Sequence, residues 1–214
     1  MVPPGEADRS EDRVRGALAE RFPQALPGLD SYAEILRGRG IEWGLLGPRE
    51  GDRVWGRHLS NSLALSDVIA SGLDVADVGS GAGLPGLPLA LVRPDLRVTL
   101  IEPLLRRATF LELAVEELAL GERVTVLRAR AEEVKEVFDV VTCRAVASLE
   151  KLVRWTTPLF LPEGELLALK GVSAEEEIEA ASTLLRKRGL VAEVLEIRAA
   201  AMTEGTRAVL VRSA

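Results

Sequence analysis

Cysteine and histidine are almost absent from this sequence of 214 residues. Cys143 is the only cysteine and His58 the only histidine, which excludes an internal disulfide and a multi-cysteine zinc site. Long apolar runs are missing too, since none approaches the ~20 residues needed to cross a bilayer. The first residues, MVPPGEADRSEDRVR, have charges of both signs and no apolar stretch, unlike a secretory signal. We therefore expect a cytoplasmic protein with no metal and no membrane partner.

Lysine is scarce as well, with 4 Lys against 23 Arg, and the net charge is −6 with a pI near 5.1. An acidic total argues against a protein that coats nucleic acid non-specifically. One stretch is nevertheless locally basic, and its charged residues are Arg37, Arg39, Arg49, Arg53, Arg57 and His58 against Glu42, Glu50 and Asp52. Such a stretch is either a solvated surface or a face for nucleic acid.

The length suits one domain with a small extension. We expect disorder over residues 1–11, a helical extension over residues 12–73 and an α/β domain over residues 74–214. Two helices are expected between about Asp12 and Arg39, and a third over about Arg53–Ala70. Nothing in the sequence requires more than a monomer.

From Val75 onward, short apolar runs alternate with amphipathic helices, such as the one expected over Leu104–Ala119. This alternation indicates a doubly wound, mainly parallel sheet covered on both faces. The last two strands lack a helix between them and should form a hairpin, which makes the sheet mixed. The predicted strands are Val75–Gly79, Arg97–Glu102, Arg123–Leu127, Phe138–Thr142, Glu165–Lys170, Val191–Ile197 and Arg207–Val211.

A glycine-rich turn, from Asp77 to Gly86, follows the first strand of the predicted sheet. In such a sheet, ligands bind beyond the carboxyl ends of the strands, near the switch point. Glycines there let a ligand approach the backbone without an intervening side chain. The spacing of Gly81, Gly83 and Gly86 also satisfies the dinucleotide pattern, so the turn alone does not distinguish NAD from S-adenosylmethionine.

Further polar residues favour S-adenosylmethionine. Glu102 ends the second strand, where a carboxylate can accept both ribose hydroxyls of either cofactor. The cluster Arg130–Glu133 follows the third strand and could contact an adenine edge. The carboxylate of Asp77 precedes the first glycine, as is common in methyltransferases, where it can reach the methionine ammonium.

The run DVGSGAGLPGLPLALVRPDLRVTLIEPLLRRATFLE, with RARAEE, FDVVTCRAVASLEKLV and LLALKG, resembles the RsmG (GidB) family of 16S rRNA methyltransferases. The resemblance covers about residues 43–171 and looks like an actinobacterial branch. It implies a class I S-adenosylmethionine-dependent fold, a Rossmann-like seven-stranded mixed sheet. It also implies methyl transfer to N7 of a guanosine (position 527) in the 530 loop of 16S rRNA. With the residues above, the expected cofactor-binding set is Asp77, Gly79, Gly81, Gly83, Leu84, Glu102, Ala131, Glu132 and Arg144.

Upstream of the glycine-rich turn, this chain differs from many members of the family. Many members have Arg-His-x-x-Asp-Ser, where this chain reads Arg57-His58-Leu-Ser-Asn61-Ser62, so Asn61 replaces a carboxylate by an amide. The expected partner is 16S rRNA or the small ribosomal subunit. The candidates for RNA contact are Arg57, His58, Asn61, Ser62 and Lys170.

The chemistry needs no acid or base, because guanine N7 has a free lone pair at neutral pH. In-line placement is what the enzyme must supply, and Arg144 and Lys170 are the candidate positioning residues. Arg144 could instead pair with Glu132 at the surface, and Lys170 could be a solvated strand terminus. A cysteine nucleophile is not expected at Cys143, which reads as a buried strand residue.

Three other functions remain open at this point. The chain could be a methyltransferase of the same fold that acts on a small molecule. It could be a nicotinamide-dependent oxidoreductase, because the glycine spacing permits that cofactor. It could also be a ribosome-binding factor that holds the cofactor without turnover.

Overall fold

Seven strands form one sheet in the structure, a computed structural model that describes the backbone of residues 4–214 and side chains from residue 9 onward. The strands are β1 (Asp74–Val78), β2 (Arg97–Ile101), β3 (Val124–Leu127), β4 (Val140–Arg144), β5 (Glu165–Lys170), β6 (Leu190–Ile197) and β7 (Thr206–Ser213). Their order across the sheet is β3-β2-β1-β4-β5-β7-β6. Strands β1 to β5 are parallel, and β7 is antiparallel to both β5 and β6. The predicted mixed sheet and its terminal hairpin are confirmed.

Most strand bounds lie close to the predicted ones, and β5 has the predicted residues. The largest difference is in β4, which begins and ends two residues later than predicted, at Val140 and Arg144. Phe138 packs in the core, and its backbone N–H donates to the carbonyl of Leu159 at 2.7 Å. Cys143 and Arg144 are the last two residues of the strand, and Cys143 is buried there, as expected.

Helices cover the two faces of the sheet. The α-helices are α1 (Pro4–Arg21), α2 (Leu26–Ile35), α3 (Ser60–Leu63), α4 (Gly86–Val92), α5 (Leu105–Glu117), α6 (Leu149–Phe160) and α7 (Ala174–Lys187). Helix α5 corresponds to the one predicted over Leu104–Ala119, and its apolar stripe of Phe110, Leu111 and Ala114 is buried. No helix in the described part of the chain combines the length and apolar character that crossing a bilayer requires.

The N-terminal part is helical but less regular than predicted. Helix α2 continues into a π-helix over Leu36–Gly40. The single helix expected over about Arg53–Ala70 is divided into a 3-10 turn, a π-helix over Val54–Leu59, the short α3 and a second 3-10 turn over Ala64–Asp67. Wider π-helical turns inside helices occur frequently at functional sites, and this one contains His58.

The expectation of disorder over residues 1–11 needs correction. Residues 1–3 lie outside the described residues, but α1 begins at Pro4. Proline is well accommodated in a first helical turn, where its missing N–H has no partner to lose. Glu11 links α1 to the π-helix over Val54–Leu59. Its two carboxylate oxygens accept the backbone N–H groups of Trp55 and Gly56 at 2.8 and 2.7 Å. Charge-assisted bonds of this kind stabilise the contact between α1 and the second π-helix.

The N-terminal helices and the sheet share one core. The larger apolar cluster contains Leu18 and Leu29 from the N-terminal helices together with Val75 and Leu100 from the central strands. Tyr32 of α2 is fully buried, and its hydroxyl donates to the carbonyl of Ala82 at 2.7 Å. The N-terminal part therefore packs directly behind the glycine-rich turn.

Candidate active site

The strand order reverses between β1 and β4, which is the switch point where doubly wound sheets bind their ligands. A cavity of about 540 Å³ opens there, beyond the carboxyl ends of β1, β2 and β4. This volume lies in the range of pockets that bury a ligand of drug size. Of the nine residues expected to bind the cofactor, seven line this cavity, and they are Gly79, Gly81, Leu84, Glu102, Ala131, Glu132 and Arg144.

The glycine-rich turn lines part of the first cavity. Gly81 has a φ of +58°, and a side chain added there would meet only the carbonyl of Gly79, at 3.7 Å. The missing side chain leaves room for a ligand against the backbone. At Gly79 the missing side chain serves packing, because an added Cβ would lie 2.7 Å from a methyl group of Val146.

Glu102 holds the turn and faces the cavity. One of its carboxylate oxygens accepts the N–H of Gly81 at 3.1 Å, and the other accepts the N–H of Leu104 at 3.0 Å. The carboxylate is nearly buried, yet each oxygen has a lone pair left. It could therefore accept ligand hydroxyls as well as orient the turn.

Ala131 and Glu132 begin a short 3-10 turn that follows β3. The first N–H groups of a helical turn have no acceptor within the turn. Both residues line the first cavity, so this turn could present backbone donors to a ligand. The predicted adenine contact is compatible with this placement.

Asp77 and Gly83, which are also predicted to contact the cofactor, do not line the first cavity. Asp77 is fully buried behind the turn, where one carboxylate oxygen accepts the N–H of Gly86 at 3.0 Å. Its other oxygen has no hydrogen-bond partner among the described residues. Burial raises the pKa of Asp77 to about 7, although the N–H of Gly86 opposes the shift. At Gly83 a side chain would press on Leu87, so this glycine also serves packing.

A second cavity, of about 750 Å³, adjoins the first. The two cavities share the segment Arg144–Val146, which ends β4 and begins the loop before α6. Ala145 in this segment has a φ of +55°, a conformation that is strained for a residue with a side chain and is often found at functional sites. The predicted RNA-contact residues Arg57, His58, Asn61 and Lys170 all line the second cavity.

Ser62 is the predicted RNA contact that lies elsewhere. It has no exposed surface, and its hydroxyl donates to the carbonyl of His58 at 2.7 Å, one helical turn earlier. This back-bond is common for serine inside helices. Its burial argues against a contact between Ser62 and RNA.

Lys170 is not a solvated strand terminus. Its ammonium donates to Oε2 of Glu177 and to the carbonyl of Ala147, both at 2.7 Å. The same oxygen of Glu177 accepts the N–H of Leu149 at 2.7 Å. Lys170 and Glu177 therefore tie the loop between β4 and α6 to β5 and α7, which leaves the ammonium little freedom to bind a phosphate.

His58 and Arg144 contact each other. A guanidinium nitrogen of Arg144 lies 2.8 Å from Nδ1 of His58, and Nε2 of His58 lies 2.8 Å from a carboxylate oxygen of Glu50. The pair of Arg144 with Glu132 that the sequence left open is not formed; the guanidinium contacts His58 instead. Burial, with the charge of Arg144 adding to it, lowers the pKa of His58 to about 4.

Several residues of the site have no clear signal in the sequence. Glu50 stands out only as one acid in a basic stretch, and Tyr32 only as the single tyrosine of the chain. Glu177 and Val146 show no motif, because their roles depend on contacts between distant elements.

Solved structures with low sequence identity have the same fold. An S-adenosylmethionine-dependent O-methyltransferase from Thermotoga maritima aligns with a TM-score of 0.55 at 16% identity, over 71% of this chain and 63% of that one. A ribosomal protein L11 methylase from Lactobacillus delbrueckii aligns with a TM-score of 0.53 at 19% identity, over 72% and 77%. A TYW2 protein from M. jannaschii, solved with AdoMet, aligns with a TM-score of 0.54 at 20% identity, over 70% and 71%. The fold is thus that of class I S-adenosylmethionine-dependent methyltransferases.

Sequence relatives are much closer. A ribosomal RNA small subunit methyltransferase G from Streptomyces avermitilis is 51% identical over 194 residues, or 89% of this chain and 79% of the relative. The protein of that name from Mycolicibacterium smegmatis is 55% identical over 176 residues, 79% of this chain and 74% of the relative. One from Kineococcus radiotolerans is 48% identical and covers 100% of this chain and 83% of the relative. The model of the family described as rRNA small subunit methyltransferase G (GidB) matches residues 25–204. The chain belongs to this family of S-adenosylmethionine-dependent methyltransferases.

Proposed function

We propose that this protein transfers a methyl group from S-adenosylmethionine to N7 of the guanosine at position 527, in the 530 loop of 16S rRNA. Family membership supports the substrate class, and the choice of nucleotide and atom rests on the resemblance to the RsmG family. The observation that carries the proposal is the meeting of two cavities at Arg144–Val146. A cofactor in the first cavity and a base in the second would have their reacting atoms at this junction.

The residues of the first cavity fit S-adenosylmethionine. Glu102 supplies the carboxylate for the ribose hydroxyls, and the turn at Ala131 and Glu132 supplies backbone donors for the adenine edge. Gly81 leaves the backbone open where a side chain would fill the cavity. Asp77 supports the turn from behind and makes no direct contact with the cavity, and its orphaned oxygen is covered by protein.

The chemistry asks little of the side chains beyond placement. S-adenosylmethionine supplies an electrophilic methyl group, and guanine N7 needs no base because its lone pair is free. Holding the base in line with the methyl group converts the reaction into an effectively unimolecular step, and this can contribute several kcal/mol (on the order of 7–11 at best). Arg144 lies at the junction and could orient the base through its planar donors.

Nucleophilic catalysis by the neighbouring cysteine does not fit the site. Cys143 is 1% exposed and points into the core between β4 and its helices. Burial raises the pKa of its thiol to about 12. The residue therefore stays protonated and inert at physiological pH, as expected from the sequence.

The RNA would approach from the side of the N-terminal helices. Arg57 is exposed at the second cavity, and Asn61 lines it as well. Arg49 and Arg53 are exposed in the same stretch. A local basic face on a chain of net charge −6 suits a shaped RNA surface in the cytoplasm better than non-specific binding of phosphates.

The proposal is tested on small ribosomal subunits purified from a bacterial strain that lacks its own enzyme of this family. These subunits and naked 16S rRNA are incubated with the protein and S-adenosylmethionine, and N7-methylguanosine is mapped by chemical cleavage at the modified base. We expect cleavage at position 527 only after incubation with the protein and the cofactor.

Two outcomes would overturn the proposal. An unmodified position 527 in both substrates, with active cofactor binding, would exclude the nucleotide and favour a small-molecule methyltransferase or a non-catalytic ribosome-binding factor. In calorimetry, binding of NAD tighter than that of S-adenosylhomocysteine would favour the oxidoreductase instead.

A further inference from the structure

His58 lies between two charged groups in the interior of the protein. Only 5% of its surface is exposed, although it borders the second cavity. On one side, Nδ1 faces the guanidinium of Arg144 at 2.8 Å. On the other side, Nε2 faces a carboxylate oxygen of Glu50 at 2.8 Å, off the line of a straight hydrogen bond. Glu50, His58 and Arg144 thus form a chain from the loop before the π-helix to the end of β4.

The neighbours of the ring fix its tautomer. An arginine guanidinium can only donate hydrogen bonds, so Nδ1 of His58 must be the acceptor. The proton of the neutral ring is then on Nε2, which faces the carboxylate of Glu50. The lowered pKa of His58, about 4, keeps the ring neutral at physiological pH and preserves this acceptor.

Arg144 is the residue whose position depends on this contact. It is the last residue of β4 and lines both cavities, and its side chain has one hydrogen bond among the described residues, the one with His58. An arginine side chain has about 2 kcal/mol of rotamer entropy, so an unheld guanidinium would sample several positions at the junction.

The backbone around His58 is held in place independently of Arg144. Glu11 accepts the N–H groups of Trp55 and Gly56, and the hydroxyl of Ser62 bonds to the carbonyl of His58. The ring therefore extends from a fixed segment of the N-terminal part toward a residue of the sheet. This arrangement suits a support for Arg144 better than a residue that contacts RNA.

We propose that His58 is a positioning residue, which holds the Arg144 guanidinium at the junction of the two cavities while Glu50 fixes the orientation of the ring. The proposal rests on the proposed function in that the junction is where the methyl group passes to the base. His58 itself then makes no contact with RNA, in contrast to the role expected from the sequence.

Two substitutions of similar size separate the two sides of the ring. His58→Asn keeps an acceptor near the position of Nδ1 and loses the contact with Glu50. His58→Gln keeps an atom near the position of Nε2 and loses the acceptor for Arg144. We expect kcat/KM for small subunits to fall about 10- to 100-fold in His58→Gln and by no more than about threefold in His58→Asn. Melting temperatures of both variants show whether each is folded.

A double-mutant cycle tests whether His58 acts through Arg144. On an Arg144→Ala background, His58→Gln should cause no further loss, because the interaction has already been removed. A further loss equal to that in the wild-type background would overturn the proposal and indicate a separate contact between His58 and RNA. Equal losses in His58→Asn and His58→Gln, or no loss in either, would overturn it too.

An NMR measurement that needs no substrate tests this inference independently of the proposed function. His58 is the only histidine, so an untagged protein labelled with ¹⁵N-histidine gives the NMR signals of one ring. We expect the Nε2–H tautomer, unchanged between about pH 6 and 8, and a raised pKa of His58 in Arg144→Ala, because the positive charge of Arg144 no longer opposes protonation of the ring. An Nδ1–H tautomer in the wild type would overturn the inference, whatever the activity on small subunits.

Discussion

The two cavities that meet at Arg144–Val146 are built in different ways. The first is lined mainly by glycine, alanine and larger apolar residues, most of them at or just after the ends of parallel strands, with Glu102 as a buried acceptor. The second is lined by longer polar and charged side chains from the N-terminal part, β5 and α7, including Arg57, His58 and Lys170. Several of those side chains are bound to each other or to nearby acids.

This difference separates two kinds of recognition. A cavity formed by strand ends and glycines is determined by the fold, so it can serve every member of a fold class. A cavity formed by paired side chains is determined by contacts between distant segments, so it can be specific to one family. We therefore expect substitutions confined to the first cavity to change cofactor affinity, and substitutions confined to the second to change only the use of the RNA substrate.

The largest expected effect is that of Glu102→Ala. The variant loses the acceptor for the N–H groups of Gly81 and Leu104 and the proposed acceptor for the ribose hydroxyls. We expect S-adenosylhomocysteine to bind at least about 100-fold more weakly in calorimetry, or about 3 kcal/mol. Glu112→Ala is the matched control, because Glu112 is exposed on α5. A Kd for Glu102→Ala within threefold of the control would show that the cavity does not bind the cofactor as proposed.

Asp77→Asn tests the support behind the first cavity through the pH dependence of stability. The folded pKa of Asp77 is about 7, above its ordinary value of 3.8, so the folded wild type holds a proton that the unfolded chain has released. This contribution to the free energy of unfolding is present below about pH 4 and is lost as the pH rises to 7. The variant Asp77→Asn lacks this pH-dependent contribution. Its free energy of unfolding, taken relative to that of the wild type, should therefore rise by about 2–3 kcal/mol from pH 5 to pH 8.

Urea unfolding at several pH values measures this difference, and the contribution of His58 cancels because both proteins contain it. Asp52→Asn, at an exposed carboxylate, is the control and should give a curve parallel to the wild type. If the free energy of unfolding of Asp77→Asn also ran parallel to that of the wild type across this pH range, burial would not raise the pKa of Asp77.

The smallest expected effect is that of Arg57→Ala in the second cavity. We expect a three- to tenfold higher KM for small subunits and a salt dependence reduced by about one counterion, because one phosphate contact is lost. Affinity for S-adenosylhomocysteine should not change. Arg154→Ala is a close control, since both arginines pair with a glutamate and their side chains are 51% and 54% exposed. The same KM in both variants would remove Arg57 from the RNA face.

The sheet and the first cavity were largely predictable, because local signals determine them. Alternating apolar runs located the strands, and the turn from Asp77 to Gly86 located the cavity between them. The start of β4 was less accessible, since the apolar residues Val137 and Phe138 precede the strand and extend the pattern beyond its observed start at Val140. Whether Phe138 joins the ladder depends on its bond to the carbonyl of Leu159 in α6, and the sequence does not encode that bond locally.

Most of the polar residues predicted to contact RNA do line the second cavity, but the pairs that they form were not predictable. The motif that contains Arg57, His58 and Asn61 marks the right segment. The sequence could not show that Glu177 neutralises Lys170 across β5 and α7, or that Glu50 and Arg144 enclose His58. Such pairings arise only when the fold brings distant residues together, so a charged residue in a motif looks free until its partner is known.

The hydroxyl of Tyr32, bonded to the carbonyl of Ala82, has a consequence for folding. The glycine-rich turn has few side chains of its own, so the N-terminal helices contribute part of the wall that shapes it. Losing those helices would expose the back of the turn to water and remove the apolar contacts that they share with the central strands. The sheet and the N-terminal helices are therefore expected to unfold in a single cooperative transition, and a truncated sheet domain would make a poor receptor for the cofactor.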